Sequence, residues 1–552
     1  MGGLNAALNS GRTSLQTNQK AIEITGLNVA NVNTEGYSRQ SPHLTPYPAL
    51  AFGDYFIGTG VTVGSIQRSH DVFLAGQIKD KAKEAGQEES MLNPLAELER
   101  VIGIGEGSLS DEFDQFFDAW RQLSTNPGGE VERQAVLQRG ELIGRSFSNI
   151  YKEIQQSEKN INSTITSKID GVNLMLDEVA QLNTRISALE MSGQDANSDR
   201  DRRDMLLKNL STSIGATTFE TSTGAASVQL PNGMPLVEMG KANNINAVFS
   251  GTDVNLELSF GDSTLPLDRN ALGGEFRGLY EVRDVMIPDV VDRLDQLAYG
   301  FATEVNAMHA VGAGLDGSTG QSFFAPPGSH VSQGYADDTA ANFAGGEVIV
   351  NVAGVETLVT VGDPASLEDI RAAIDGVADV TASIDFSAPD YTLRVESTND
   401  PKENITIDAS SLTGETYAPP AFSSQDYSAN LRMSIDTTSK IAAGQTIAPG
   451  DNTNALDILQ LEQQQTLGND TFVSYYGKIA STVGVEAARN RQAAQGFQDS
   501  LIQLENMRDG IDGVSLEEEM INLLKYQRGF EASARFLSTV DEMMSTLMTL
   551  KR

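Results

Sequence analysis

The sequence predicts a multidomain α+β protein, in which coiled-coil terminal helices and a helix-bundle trunk carry inserted β-rich outer domains. Three observations support this prediction. Apolar residues recur at heptad spacing near both ends of the 552-residue chain. Long stretches with helical periodicity lie between the ends, at about 130–190, 275–309 and 472–510. Strand-like alternation occurs in two regions, 216–271 and 331–436.

The N-terminal segment is predicted to form one helix, from about Leu4 to Asn33. Gly11 and Gly26 each cost about 1 kcal/mol relative to alanine, so we expect the isolated helix to be marginal. One heptad stripe is apolar throughout, whereas the stripe beside it contains residues that pack poorly in a core. The first stripe comprises Leu8, Leu15, Ile22 and Val29, and the second comprises Leu4, Gly11, Asn18, Thr25 and Val32.

The C-terminal segment begins with a capping box at Ser515–Glu518 and continues as a helix with two apolar stripes. Two stripes imply two contacted faces, so we interpret one as paired with the N-terminal helix and the other as meeting neighbouring subunits. The alternative, a helix buried in its own domain, stays open. The first stripe is Leu516, Met520, Leu523, Phe530, Ala534, Leu537, Met544 and Met548, and the second is Leu524, Val540, Met543, Leu547 and Leu550.

These patterns divide the chain into four predicted domains. Residues 1–50 and 511–552 form a terminal coiled-coil domain, and 51–215, 272–330 and 437–510 form the helical trunk. A β-rich insertion spans 216–271, where Pro231-Asn232-Gly233 between apolar runs indicates a hairpin. Residues 331–436 form an acidic outer domain, with 18 Asp/Glu against 4 Lys/Arg and a short helix that starts at Ser366.

Composition excludes several classes of function. The net charge of −36 repels phosphate backbones and anionic lipid, so neither a nucleic acid nor a membrane is an expected partner. The chain has no cysteine, which excludes disulfides and thiolate chemistry. The start lacks the basic and apolar regions of a cleaved secretory signal, and no apolar run approaches the ~20 residues of a membrane-spanning helix.

No segment shows the pattern of a catalytic, cofactor-binding or metal site. The four histidines lie in unrelated contexts, and Gly312–Gly317 matches a dinucleotide fingerprint only as a string, because it follows a predicted helix rather than a strand. The acidic stretch Asp195–Asp204 lacks the glycine and terminal glutamate of a calcium loop, so we interpret it as a solvated helix start. We therefore expect no cofactor and no enzymatic activity.

Motifs at both ends resemble those of the flagellar rod, hook and hook-associated proteins. Near the C-terminus the resemblance lies in 514–520, Tyr526-Gln527-Arg528 and 541–550. Glu35 departs from the family, which often has proline there. The N-terminal motif is carried by Ala30, Asn31, Thr34, Gly36 and Tyr37.

Further segments resemble the hook–filament junction members of this family. They are Ser38-Arg39-Gln40 directly after the motif, and 201–211 after Leu182-Asn183. The outer domain around 345–407 is similar to the IN motif of flagellins and hook proteins, although Asp375 stands where asparagine is usual.

The resemblance implies a structural component of the bacterial flagellum, a ring that joins hook to filament. Such proteins leave the cell unfolded through the type III export apparatus, without a cleaved signal peptide, and act extracellularly at the hook–filament junction. Implied partners are copies of the same subunit, the hook protein, a second junction protein and an export chaperone. We predict assembly contacts at Leu8, Leu15, Ile22, Val29, Leu516, Met520, Leu523, Phe530, Leu537, Val540, Met543 and Leu547.

Three alternatives remain at this point. The chain is the hook protein itself or another axial component, an enzyme carried on a flagellar scaffold at 331–436, or an adhesin built on the acidic strand domain.

Overall fold

The computed structural model describes every residue except 1, 53–54, 106, 222–223, 251–252, 262, 268, 326–327, 353–354, 388–389, 399–404, 413–419, 421, 425–426 and 551–552. The chain forms two compact units. The terminal unit comprises Met1–Leu92, Ile161–Glu281 and Arg489–Arg552, and the middle unit comprises Asn93–Asn160 and Val282–Ala488. Long helices and several small sheets confirm the predicted α+β class.

Helices hold most of the residues that lie in regular secondary structure. The stretches predicted at about 130–190 and 472–510 are confirmed, while the one at 275–309 is interrupted by a π-helical turn at Val282–Met286. The helices are α1 Gly2–Ala30, α2 Val72–Val101, α3 Leu109–Thr125, α4 Glu130–Met191, α5 Asn197–Ile214, α6 Gly274–Glu281, α7 Ile287–Val311, α8 Leu367–Asp375, α9 Tyr427–Asn430, α10 Thr453–Gln460, α11 Phe472–Asp512 and α12 Leu516–Leu550.

The strands are short and pair antiparallel. They are β1 Gln40–Pro46, β2 Leu50–Phe52, β3 Tyr55–Ile57, β4 Val61–Arg68, β5 Thr217–Glu220, β6 Ala226–Gln229, β7 Pro235–Glu238, β8 Lys241–Ala242, β9 Ile245–Ser250, β10 Asp253–Phe260, β11 Ser263–Leu267, β12 Ser329–Ser332, β13 Gly346–Val352, β14 Val355–Val361, β15 Val380–Ser387, β16 Asp390–Ser397, β17 Ile405–Asp408 and β18 Phe422–Ser424.

In the terminal unit, a hairpin that the sequence analysis did not anticipate follows the first helix. Strand β1 pairs with β4 from Gln40↔Arg68 to Pro46↔Val61, with an irregularity between His43 and Leu44. The predicted domain limit at 50/51 falls inside β2, between these two partners. Two prolines in β1 remove backbone donors and break the alternation on which strand prediction depends, which explains why the hairpin was missed.

The β-rich insertion of the terminal unit contains two sheets, with strand orders β5-β6-β7-β8 and β11-β10-β9. The hairpin predicted at Pro231–Gly233 is confirmed, since β6 and β7 flank it and pair. Gly233 has φ +88°, a conformation that favours glycine. The Asn173 side chain on α4 bonds both backbone groups of Ile245, N–H at 2.9 Å and C=O at 2.8 Å, and so fixes β9 against that helix.

The middle unit is organised around a cluster of aromatic rings. Helix α3 buries three phenylalanines and Trp120 on one face, and Phe301 of α7 packs edge-on against Phe113 at 4.9 Å between ring centroids. The Asn306 side chain bonds both backbone groups of Phe324, N–H at 2.7 Å and C=O at 2.9 Å. The fully buried rings are Phe113, Phe116, Phe117, Trp120, Phe147, Phe301, Phe323, Phe324 and Phe472.

Strands β12 to β18 of the middle unit build two sheets around a separate apolar core, with strand orders β14-β13-β17 and β15-β16-β12-β18. The short helix predicted to begin at Ser366 is confirmed as α8. Its capping box is complete, because Asp369 N–H donates to Ser366 Oγ at 3.1 Å and Ser366 N–H donates to Asp369 Oδ2 at 2.8 Å. The likeness of this region to an IN motif stays a prediction.

Candidate functional site

The two terminal helices pair with each other in antiparallel fashion. Ser14 Oγ lies 2.8 Å from Ser533 Oγ, and Asn28 Nδ2 donates to Glu519 Oε2 at 3.0 Å. As the residue number rises along α1, the number of its partner on α12 falls. The pairing of the chain ends that the heptads predicted is therefore present within a single chain.

Small residues set the distance between these helices. A Cβ added at Gly11 would lie 2.9 Å from Leu537 Cγ, and one at Gly529 would lie 2.6 Å from Asn18 Oδ1. Neither space accommodates a larger side chain without displacement. The stripe that looked too weak for a coiled-coil core therefore faces α12 at Gly11 and Asn18, where glycine leaves room for side chains of the partner helix at a cost in helix propensity.

Helix α1 is covered on a second side by the β1–β4 hairpin, where Thr17 Oγ1 donates to the carbonyl of Val61 at 2.9 Å. The predicted stripe Leu8, Leu15, Ile22 and Val29 is half-buried. Apart from Ile24, the most buried side chains of α1 are small or polar, and an analysis of hydrophobic periodicity overlooks such residues. The most buried side chains are Ala6, Thr17, Ala21, Ile24, Thr25 and Asn28.

The predicted contact residues on helix α12 fall into three groups by how exposed their side chains are. Leu523, Phe530 and Leu537 are half-buried. Val540 is 1% exposed, so its predicted contact with a neighbouring subunit is corrected. It follows Glu519 and Ser533 at intervals that are multiples of seven, which places it on the inward stripe of the helix. The remaining four residues, Leu516, Met520, Met543 and Leu547, are 45–51% exposed.

The N-terminal family motif forms the turn that ends α1. Asn31 Nδ2 bonds the carbonyl of Leu27 at 2.9 Å, and Thr34 Oγ1 donates to Asn31 Oδ1 at 3.2 Å. Gly36 has φ +77°, which explains why glycine is needed there. Ala30 is exposed at the last helical position. The motif therefore stops the helix and reverses the chain, which brings Tyr37 back to α1.

Asn28 is the centre of a buried polar network, which we call the motif network. Its Oδ1 accepts from Tyr37 Oη at 2.9 Å and from Gln40 N–H at 3.0 Å. Its Nδ2 donates to the Gln40 carbonyl at 2.8 Å as well as to Glu519. All four hydrogen-bonding sites of this amide are used, and the residue is 1% exposed. Asn28 is not among the predicted site residues, because a lone asparagine on a helix carries no periodic signal.

Arginine and carboxylate side chains extend the network to the C-terminal segment. Arg39 pairs with Glu519 at 2.9 Å and with Glu518 at 2.7 Å. Arg39 N–H donates to the carbonyl of Asp512 at 2.8 Å, at the point where α11 ends. Glu519 is 2% exposed, so its charge depends on these partners.

A second branch of the network corrects the interpretation of Asp195–Asp204 as a solvated helix start. Asp201 is 7% exposed and Arg203 is 1% exposed. Asp201 accepts from Ser38 N–H at 3.1 Å and pairs with Arg68 at 2.9 Å. Arg68 belongs to β4, more than a hundred residues away in sequence, so only the folded chain brings the partners together.

Burial shifts the pKa values of titratable side chains in and beside the motif network. It raises the pKa of Tyr37 to about 12, helped by the charges of Asp201 and Glu519. It also raises the pKa of Asp201, in opposition to the bonds from Ser38 and Arg68. The pKa of His70 is lowered, first by burial and then by the Arg68 charge. A phenol that stays protonated and donates to an amide is suited to holding two segments together rather than to acid–base chemistry.

Across the described residues, no group of three His, Asp or Glu side chains is placed to hold a metal ion. The helices in that same part of the chain include none with the length and apolar character that crossing a bilayer requires.

Sequence models of three flagellar families match the chain in order. Residues 8–37 match "Flagella basal body rod protein", 95–324 match "Flagellar hook-associated protein FlgK helical domain", and 512–550 match "Flagellar basal body rod FlgEFG protein C-terminal". The two terminal matches cover the helix pair and the motif turn.

The three matched segments are each similar to flagellar rod, hook or hook-associated proteins. The chain is similar over almost its whole length to proteins named flagellar hook-associated protein 1. The relative from Salmonella typhimurium is 23% identical over 99% of this chain and 100% of its own length. The relative from Escherichia coli is also 23% identical, with the same coverage, and that from Bacillus subtilis is 23% identical over 98% and 97%.

A solved structure shows a similar fold. The flagellar hook junction protein FlgK from Burkholderia pseudomallei superimposes with a TM-score of 0.57 at 16% identity, covering 80% of this chain and all of that one. The full-length relatives and the matched family models support a structural role for the chain in the flagellar axis.

Proposed function

We propose that this chain forms the ring joining hook to filament, that it assembles through its terminal helix pair, and that it has no catalytic role. Full-length similarity to hook-associated protein 1 supports this position. The match of 95–324 to the hook-associated helical domain favours it over the alternative, the hook protein.

One observation carries the assembly part of the proposal. Helix α12 is already paired with α1, yet its outer side presents large apolar side chains to solvent. Exposed apolar surface of this extent on one helix is typical of a contact with another protein. The exposed fractions are 51% for Met520, 67% for Ile521, 51% for Leu524, 45% for Met543, 49% for Leu547 and 66% for Met548.

The partners follow from the assembly. Copies of the subunit pack head to tail in the ring, with the hook protein on one side and a second junction protein on the other. An export chaperone covers α12 before assembly, and the chain leaves the cell through the type III apparatus. The contact between α1 and α12 supports export of the unfolded chain. Its glycine, serine and asparagine residues bury little apolar surface, so the helix pair is only marginally stable.

Immunogold labelling of isolated flagella tests the position. We expect a single band between hook and filament. A label spread along the whole hook would contradict the proposal and favour the hook protein.

Two kinds of substitution test the assembly surface. We expect Leu547→Asp, on the exposed side of α12, to block polymerisation while the helix pair stays folded, because it places a charge in the contact. Leu15→Asp and Leu537→Asp should block it by separating the pair. Gln527→Asp, at an exposed polar position of the same helix, is the matched control. Normal polymerisation of the Leu547→Asp variant would refute the proposal that the exposed side of α12 is an assembly contact.

Amide hydrogen exchange on the monomer tests the marginal stability of the ends. We expect weak protection of residues 4–33 and 516–550 before assembly. Strong protection there would contradict export and folding in the order proposed.

A further inference from the structure

A cleft of about 480 Å³ lies in the terminal unit, next to the motif turn. Helix α2, helix α5 and strand β5 form its walls, and Glu35 and Gly36 of the motif turn lie at its rim. Its apolar lining comes from side chains that include Ile78, Leu207 and Phe219. Phe219 is 52% exposed, so the cleft is open to a partner.

Five carboxylates line the cleft, and three of them pair with arginines. Asp512 accepts hydrogen bonds from Ser69 Oγ and Asp71 N–H, and Glu35 is exposed at the rim. Asp201 and Asp204 pair with Arg68, and Glu220 pairs with Arg200 and Arg203. Their negative charge is therefore offset from within the terminal unit.

The ammonium group of Lys79 is different. Its Nζ donates to the hydroxyl of Thr218 at 2.5 Å. Among the described residues no carboxylate lies within ion-pair distance of it, whereas Lys208 in the same lining pairs with Glu505. Burial is the largest influence on the pKa of Lys79 and lowers it, while the charges of Asp204, Asp80 and Glu220 act in the opposite direction.

A second group in the same lining has unused hydrogen-bonding capacity. Arg203 is 1% exposed, and its Nε has no hydrogen-bond partner in the structure. A desolvated cation and a buried donor beside apolar walls are complementary to a carboxylate attached to an apolar segment.

We propose that this cleft is a docking site for a segment of an adjoining flagellar axial subunit, in which an aspartate or glutamate next to an apolar side chain pairs with Lys79. The inference deepens the proposed function and depends on it, because it supposes that axial subunits are in contact. The site lies beside the motif network, so a docked segment would bear on the turn that holds the two chain ends together.

Photocrosslinking in assembled flagella tests the site. A benzophenone amino acid is placed at Phe219, and the crosslinked peptides are identified by mass spectrometry. We expect an intersubunit crosslink to an axial protein, at a peptide with an acidic residue beside an apolar one. The same label at Phe249, exposed on β9 and outside the cleft lining, is the control position.

Substitutions at Lys79 test whether its positive charge is responsible for docking, and hence for the crosslink at Phe219. Lys79→Met keeps the apolar stem and should lower the crosslink yield at least about fivefold, while Lys79→Arg should largely keep it. Lys81→Met, two residues along α2, should leave the yield unchanged, because Lys81 has Glu84 as its partner. Thermal unfolding of each variant verifies that the terminal unit still folds.

The outcomes separate the two proposals. A gold-labelled junction band together with no Phe219 crosslink, or with a crosslink that Lys79→Met does not weaken, would overturn the docking site alone. Absence of the junction band would overturn the proposed function. A band with a Lys79-dependent crosslink supports both.

Discussion

The core of the middle unit and the seam between the terminal helices are built from opposite kinds of residue. Nine aromatic side chains pack in the first, all with at most 1% exposure. The second relies on Gly11, Ser14, Asn18 and Gly529, together with a network of hydrogen bonds and ion pairs. Burial of apolar rings makes the middle unit stable on its own. The contact between α1 and α12 instead gains its specificity from the directions of its hydrogen bonds and from tight packing at glycines.

This difference matches what the two regions are proposed to do. A subunit exported unfolded needs a part that refolds unaided, and the aromatic core supplies the apolar burial for this. The terminal helices have to remain available to partners. Small side chains between α1 and α12 hold the pair only weakly, and the outer face of α12 exposes apolar side chains to a partner.

Removing a central ring should have the largest effect. Phe301 contacts five other rings of the core, at 4.9–6.4 Å between centroids. We expect Phe301→Ala to lower the free energy of unfolding of the middle unit by about 3–5 kcal/mol, since it leaves a large cavity. The fluorescence of Trp120, the single tryptophan of the chain, reports on this unit during urea unfolding.

Ile447 in the same unit is 61% exposed, and Ile447→Ala is the control. It should change stability by no more than about 0.5 kcal/mol. Protection of α1 and α12 from amide exchange should not change in Phe301→Ala. A loss of protection there would show that the two regions do not fold independently.

The motif network should be the most sensitive part of the terminal unit. Glu519→Gln removes the charge that pairs with Arg39 and leaves Asn28 with a poorer partner, so we expect a loss of about 2 kcal/mol. Faster amide exchange in α1 and α12, with unchanged Trp120 fluorescence, is the expected result. Glu517→Gln, at an exposed position two residues earlier, is the matched control. Equal effects of the two substitutions would contradict a role for the network.

Acidification should weaken the middle unit. Burial lowers the pKa of His309 below 6.5, and its ring is held between the Gln321 carbonyl at 2.7 Å and the Ala442 N–H at 3.0 Å. As the pH falls below 6.5, the unfolded chain takes up a proton at this ring and the folded chain does not. Stability is therefore complete above pH 6.5 and declines below it, by at most about 1.4 kcal/mol per pH unit for one proton.

Melting curves between pH 7.5 and 5.5 measure this decline. His330 is buried in the same unit with a lowered pKa and contributes in the same direction. We expect His309→Gln to be less stable at pH 7.5 but to show a shallower pH dependence. A slope identical to that of the unchanged chain would refute the assignment.

The smallest effect concerns two glycines of α1. A Cβ at Gly26 meets nothing within 4 Å, so Gly26→Ala should stabilise the helix by about 1 kcal/mol. Gly11→Ala has the same gain in propensity, but its Cβ would lie 2.9 Å from Leu537, so we expect a net loss. Amide exchange of α1 compares the two directly. A similar gain in both would mean that the close approach does not constrain the pair.

Much of the fold was accessible from sequence periodicity. The helices at 130–190 and 472–510, the hairpin at Pro231–Gly233 and the capped helix at Ser366 all follow from local pattern and are confirmed. The hairpin at β1–β4 was not, because its prolines disrupt the alternation. The predicted domain limits and the assembly contacts beyond Val540 stay predictions.

The sequence by itself determined the helical ends, the motif turn and the resemblance to flagellar proteins, because each depends on residues that are close together in the chain. Only the tertiary structure decided which stripe of α1 meets α12, that Val540 points inward, and that Asn28, Arg68 and Asp201 belong to one buried network. The physical reason is that a buried polar residue is stabilised by its partners, and here those partners come from segments hundreds of residues apart.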